Sequence, residues 1–257
     1  MSSSAQSQDP QEEGFFTHLT ELRSRLIRAG LSVFVIFILL CIWPGTSRVY
    51  DVLAAPMIST LPPGHTMIAT GVITPFMVPI KVTFLLAFVI ALPYVLYQFW
   101  AFIAPGLYKH EKRLVLPLVF SSTILFIVGM AFCYFVVFRS VFHFVNMVAP
   151  SSITMAPDIE AYLSFVMTMF IVFGMTFEVP VVVMVLVSLG IVELQTMRKA
   201  RGYVIVGSFV VAAIVTPPDV MSQLMMAIPL CVLYEVGLIV SRFLRVQAKQ
   251  TLDSDQH

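Results

Sequence analysis

An all-helical, polytopic membrane protein is the fold this sequence predicts, and three observations predict it. Of 257 residues, 59% carry hydrophobic side chains and 11% are charged, whereas charged residues alone reach about 25% in a soluble domain. The apolar residues collect into six runs bounded by proline, glycine or charge, most of them near the roughly 20 residues that a bilayer crossing needs. If all six cross, twelve of the fifteen Lys and Arg fall on one side, leaving Arg48, Lys81 and Arg139 elsewhere. That bias puts both termini in the cytoplasm, and an odd number of crossings would destroy it.

The first 14 residues, MSSSAQSQDPQEEG, are polar and acidic, with no basic stretch ahead of an apolar one. They predict a disordered tail rather than a cleavable signal. From Phe15 the pattern turns helical: Phe15, Leu19, Leu22 and Leu26 share one face, and His18, Glu21, Arg25 and Arg28 another. This interfacial helix runs into a first span, Ala29 to Trp43, stopped by Pro44 and Gly45. Residues 44 to 74 hold Pro56 and Leu61-Pro62-Pro63-Gly64 with little charge, which predicts short helices and turns against the outer surface.

The second span, Pro75 to Phe102, contains Pro79 and Pro93 and is expected to be tilted or kinked. Lys81, near its outer end, has the reach to snorkel to the interface. An aromatic, proline-broken corner, Phe99 to Arg113, follows on the inner side, with Glu111 set among Lys109, Lys112 and Arg113. The third span runs from Leu114 to about Phe138. Beyond an outer loop through Asp158 and Glu160 comes the fourth, Tyr162 to Leu189, interrupted by Glu178-Val179-Pro180. The fifth, Gly202 to Val215, is 14 residues, about 21 Å of helix against a core of about 30 Å. Thr216-Pro217-Pro218-Asp219 turns the chain into the sixth, Val220 to Val240, which is uncharged only as far as Tyr234. Two short neighbouring spans imply a locally thinned bilayer. The organisation expected is a tail over residues 1–14, a six-span domain over 15–245 and a polar tail over 246–257.

Net charge of +1 and dispersed bases argue against nucleic-acid binding. Cys41, Cys133 and Cys231 lie far apart within apolar runs without CxxC spacing, and read as packing residues rather than a disulfide or metal site. The methionines Met167, Met169, Met175, Met221, Met225 and Met226 read the same way. Tyr134, Tyr162 and Trp100 read first as interfacial anchors. No nucleophile elbow, HExxH, phosphate loop or aspartyl pair is present, and neither an enzyme nor a cofactor is expected.

Glu178 is the exception within the apolar runs, because a charge there costs on the order of 2.5–3.5 kcal/mol on insertion scales. It either faces a polar cavity or is a carboxyl bonded to a neighbouring helix, with Gln98 one available partner. On residues alone, a proton-coupled small-solute transporter and a scaffold without ligand stay open, although no internal repeat of the transporter kind is visible.

Four segments carry a resemblance: His18-Leu19-Thr20-Glu21-Leu22-Arg23, Trp100 to Glu111 (WAFIAPGLYKHE), Phe173 to Pro180 (FGMTFEVP) and Thr216-Pro217-Pro218-Asp219. In order and along nearly the whole chain, they resemble the signature segments of the TatC family, the multispanning core of the twin-arginine protein translocase. The resemblance implies a receptor for folded precursors bearing twin-arginine signal peptides, in the bacterial inner membrane, working with single-span TatA and TatB, self-associating in the receptor complex and driven by the proton-motive force. It implies a concave scaffold in which Glu21, Arg23, Phe102, Tyr108 and Glu111 form the signal-binding patch. A guanidinium pair suits two carboxylates, which it can engage bidentately. Within α-helical spacing Glu21 also stands four residues before Arg25, where an ordinary ion pair forms. The resemblance further implies a cavity at Gln98 and Glu178, outer-side roles for Pro56, Tyr134 and Asp219, and a partner-helix site at Thr216 and Gln223. Arg139 stands where a helix-stopping proline is expected, leaving the end of the third span open.

Overall fold

The computed structural model describes residues 10–58, 68–103, 115–141, 158–216 and 220–254, with side chains described from residue 19 to 52 and thereafter up to residue 243. Every regular element among them is helical. Five helices are long and apolar enough to cross a membrane, and a sixth apolar helix is shorter.

Helix α1 (Pro10–Ile42) is one unbroken rod of 33 residues, joining the amphipathic stretch to the first span. It begins inside the segment expected to be a tail. Few of its side chains are buried: Ala29 and Val33 face α3 (Thr74–Ile103), where Val33, Ala87 and Ala91 form a small cluster. Phe37 adds an edge-to-face contact with Phe84, ring centroids 5.8 Å apart. Most of α1 is left to lipid, as apolar side chains can be in a bilayer. Helix α2 (Thr46–Ile58) contributes Val49 to a cluster with Val78, Val82 and Leu163, and so covers the outer ends of α3 and α5 (Ile159–Phe177).

Pro79 and Pro93 both lie inside α3 without ending it, as membrane helices allow. The Thr83 hydroxyl donates to the carbonyl of Pro79 at 2.7 Å. Helix α4 (Val115–Val141) continues straight through Arg139. Its outer third, Cys133–Phe138, is wound as a π-helix. The wider turn seats Cys133, Val137 and Phe138 against Val166, Met169 and Phe173 of α5, and the cysteine is a core residue.

Two glycines set the distance between α4 and α5. A Cβ on Gly129 would lie 2.6 Å from the carbonyl oxygen of Phe173, and one on Gly174 would lie 2.4 Å from the Phe126 ring. Small residues at such crossings let helix backbones approach where no hydrophobic effect drives them together. Helix α6 (Val179–Ser188) follows α5 after a single non-helical position, Glu178, with Pro180 in its first turn. The break is local, because Val182 still donates to the carbonyl of Glu178 at 3.0 Å.

A short α7 (Leu194–Lys199) leads to α8 (Arg201–Val215) and α9 (Val220–Ser254). The α9 backbone approaches α6 closely at Gly237, where a Cβ would sit 2.9 Å from Pro180 Cα. Helix α9 is not short: it runs on past Val240 and through the stretch assigned to the polar tail. Its apolar part, Val220–Phe243, is 24 residues, so the expectation of a short sixth span does not hold: Glu235 lies inside that stretch, paired with Arg201, the first residue of α8, at 2.7 Å. That pair ties the start of α8 to α9 and leaves α8 as the short apolar helix, about 22 Å long.

Candidate functional site

The inner end of α1 carries the first predicted acid. Glu21 Oε1 accepts from Arg25 at 2.9 Å (Nε) and 2.6 Å (Nη2), the i to i+4 pair that helical spacing allows. The carboxylate side chain keeps 35% of its surface exposed. Arg23 is exposed two residues on. Phe102 is half-buried in the last turn of α3, directly before the inner corner. Tyr108 and Glu111 lie outside the described residues.

Two residues before Phe102, Trp100 is buried and its Nε1–H donates to the Ser122 hydroxyl at 2.9 Å. The tryptophan is therefore a core residue rather than an interfacial anchor: its indole N–H has a partner on α4, and Leu92, Leu96 and Phe126 pack in the same cluster. Around this bond the polar accounting is incomplete. Gln98 Oε1 and both carboxylate oxygens of Glu178 are buried with no hydrogen-bond partner among the described residues. The Ser122 hydroxyl stands beside Glu178 but outside hydrogen-bond geometry. Gln98 and Glu178, expected as one cavity or one bonded pair, are not bonded to each other.

Pro56 falls in the last turn of α2, one of the short helices expected between the first two spans, and its side chain is outside the described residues. Tyr134 lies in the π-helical segment, half-buried against the α4–α5 core. Asp219 is outside the described residues. At the corner between α8 and α9, Thr216 is buried and its hydroxyl donates to the carbonyl of Ala212 at 2.8 Å. Gln223 Nε2 donates to the carbonyl of Phe209 at 3.2 Å. The two residues share the corner, each bonded within the chain.

A polar clasp that sequence reasoning did not assemble sits nearby. Asp158 caps α5, accepting from the backbone N–H of Glu160 and Ala161 at 2.9 and 3.0 Å, and its other oxygen accepts from the hydroxyl and N–H of Thr70. The Thr70 hydroxyl, then the α5 N–H groups, hold the Asp158 carboxyl down at about 2. Glu160 accepts from Thr74 at 2.9 Å and pairs with Lys81 at 2.7 Å. Lys81 thus has a carboxylate partner at the interface instead of snorkelling alone. The N-cap was legible as an aspartate just before an apolar run, but Thr70, 88 residues away, was not. Among the described residues, no three His, Cys, Asp or Glu side chains gather in a way that could hold a metal ion.

Comparison with known proteins gives this geometry its context. The model of the family described as Sec-independent protein translocase protein (TatC) matches residues 17–229. A Sec-independent protein translocase protein TatC of Halothiobacillus neapolitanus is 54% identical over 90% of this chain, which spans 62% of that relative's length. The TatC of Escherichia coli K12 is 51% identical over 88% of this chain and 87% of its own. A crystal structure of the twin-arginine translocase receptor TatC superposes with a TM-score of 0.76 at 36% identity, covering 88% of this chain and 98% of the receptor. Agreement of that extent, in sequence and in the path of the backbone, makes this chain a member of the TatC family.

Proposed function

We propose that this chain is the signal-peptide receptor and core subunit of a twin-arginine translocase, passing folded precursors across a bacterial inner membrane at the expense of the proton-motive force. The family is one of translocation components and not of enzymes, so binding and rearrangement, rather than covalent chemistry, are what its residues must accomplish.

The observation that carries the reading is Glu21: a half-exposed carboxylate on the inner end of α1 that already holds a guanidinium. A signal peptide presenting two arginines needs two such acceptors, each taking a forked set of N–H donors. Glu21 is one and Glu111, in the corner that follows Phe102, is the other, with Arg23, Phe102 and Tyr108 bordering them. In this reading all six apolar helices cross the membrane, α8 among them, and both termini are cytoplasmic, as the distribution of basic residues favours. TatA and TatB supply single helices that dock at the Thr216 and Gln223 corner, and the chain self-associates in the receptor complex. Gln98 and Glu178 face the apolar part of the inserted signal, while Pro56, Tyr134 and Asp219 serve the outer side.

The test is a pull-down of a precursor from membranes containing the full chain. Capture that disappears when both signal arginines become lysine supports the reading, and equal capture of the lysine precursor rejects it.

A further inference from the structure

Arg25 already holds one oxygen of Glu21, the carboxylate that an incoming arginine would engage. Its Nε and Nη2 converge on a single oxygen, Oε1, at 2.9 and 2.6 Å, so the receptor at rest satisfies its own acceptor with its own guanidinium. The pair joins two side chains on one helix face, with 23% and 35% of their surfaces exposed. Both partners are partly buried and keep some surface exposed, and an i to i+4 ion pair of that kind is weak enough to be exchanged. We infer that Arg25 is an internal placeholder for the signal's arginine, an autoinhibitory contact that every signal peptide must displace to reach Glu21. The inference rests on Glu21 being an arginine acceptor.

A definite arithmetic follows. If Glu21 is available only in the fraction of molecules whose Arg25 is released, the apparent affinity of every ligand for Glu21 is lowered by that same fraction. Arg25 therefore sets a threshold common to arginine and lysine signals and does not itself choose between them. For a pair of ordinary surface strength the factor is about two- to fivefold. A guanidinium with its fork of donors replaces Arg25 in kind, while a lysine ammonium replaces two directed N–H contacts with a point charge. Arginine signals thus clear the threshold and lysine signals stay below it.

The experiment measures the dissociation constant of a synthetic twin-arginine signal peptide, and of its twin-lysine counterpart, for the full chain in lipid nanodiscs. R25Q is expected to tighten both peptides by the same factor, about two- to fivefold. R25K, which keeps the charge but loses the fork, is expected between R25Q and the unaltered chain. R28Q removes a charge from the next turn, where Arg28 is exposed, and is expected to leave both constants in place. In an E21Q background the R25Q effect should vanish. Weaker or unchanged binding in R25Q, or equal tightening in R28Q, overturns the placeholder. If E21Q alone binds the twin-arginine peptide as tightly as the unaltered chain, it is the acceptor role of Glu21 that fails, a result distinct from a weakened E21Q with an inert R25Q.

Discussion

Glu178 and Gln98 leave three buried oxygens without a hydrogen-bond partner among the described residues, in a region where each such group is costly. Such an arrangement fits a group kept for a later step and not for packing. Replacing Glu178 by Gln is expected to leave docking of a twin-arginine precursor at the membrane surface intact while export falls, read by crosslinking and transport in the same vesicles. Loss of docking would place the acid in recognition. Glu111→Ala is expected to do the reverse, abolishing both the crosslink and export while the protein still inserts. At the start of α5, Asp158→Ala removes the N-cap and frees Thr70, so the thermal midpoint should drop. Because the folded carboxyl sits at about 2, below its ordinary value near 4, its contribution is fully present above about pH 4 and is lost as pH falls toward 2. A chain lacking Asp158 should lose less stability over that interval.

Among the elements, the spans were legible because hydropathy and helix-stopping residues coincide: Trp43-Pro44-Gly45 ends α1, and Thr216 with the two prolines after it ends α8. Helix-breaking residues within an apolar run were harder to weigh. Pro79 and Pro93 stay inside α3, and Glu178 with Pro180 interrupts the helix at a single position whose backbone keeps helical dihedrals. The π-helical turn at Cys133–Phe138 leaves no mark in composition, since its residues are as apolar as their neighbours. Arg139 was read as a doubtful end, yet the helix carries it outward as an exposed residue, which a charge at the interface permits. Packing between α4 and α5 rests on glycines whose role periodicity cannot show. Gly174→Leu must push its side chain into the Phe126 ring and is expected to destabilise the protein by about 1–3 kcal/mol, seen as a lower midpoint of thermal unfolding in detergent. The exposed Gly202, with open space around it, should tolerate alanine without that loss.

For the whole molecule, the mismatch between helices matters most. α3 and the α5–α6 pair have lengths that a bilayer accommodates by tilting, and the apolar part of α9, Val220–Phe243, is also long enough to cross, whereas α8 offers about 22 Å. If α8 crosses, as the proposed topology requires, the bilayer must thin beside it or the helix must shift. Nanodiscs of short-chain lipid should therefore hold the protein at a higher unfolding temperature than those of long-chain lipid, and extending α8 by four leucines should reduce the difference. That much of the site was readable from sequence because acids in an apolar chain are few. What joins residues far apart along the chain, such as Asp158 to Thr70 or Arg201 to Glu235, depends on how helices lie against one another, and no local pattern encodes it.

Helix α1 has no interruption from the turn that holds Glu21 to its last residue at Ile42, and it touches the remainder mainly along one narrow strip on α3. The strip lies toward its C-terminal end, from Val33 to Leu40, so the part that bears Glu21 and Arg25 reaches beyond the packed seat. An unbroken helix seated in this way is a cantilever, and a load placed on Glu21 is carried as a bending moment to the Val33–Leu40 seat and the α3 residues beneath it.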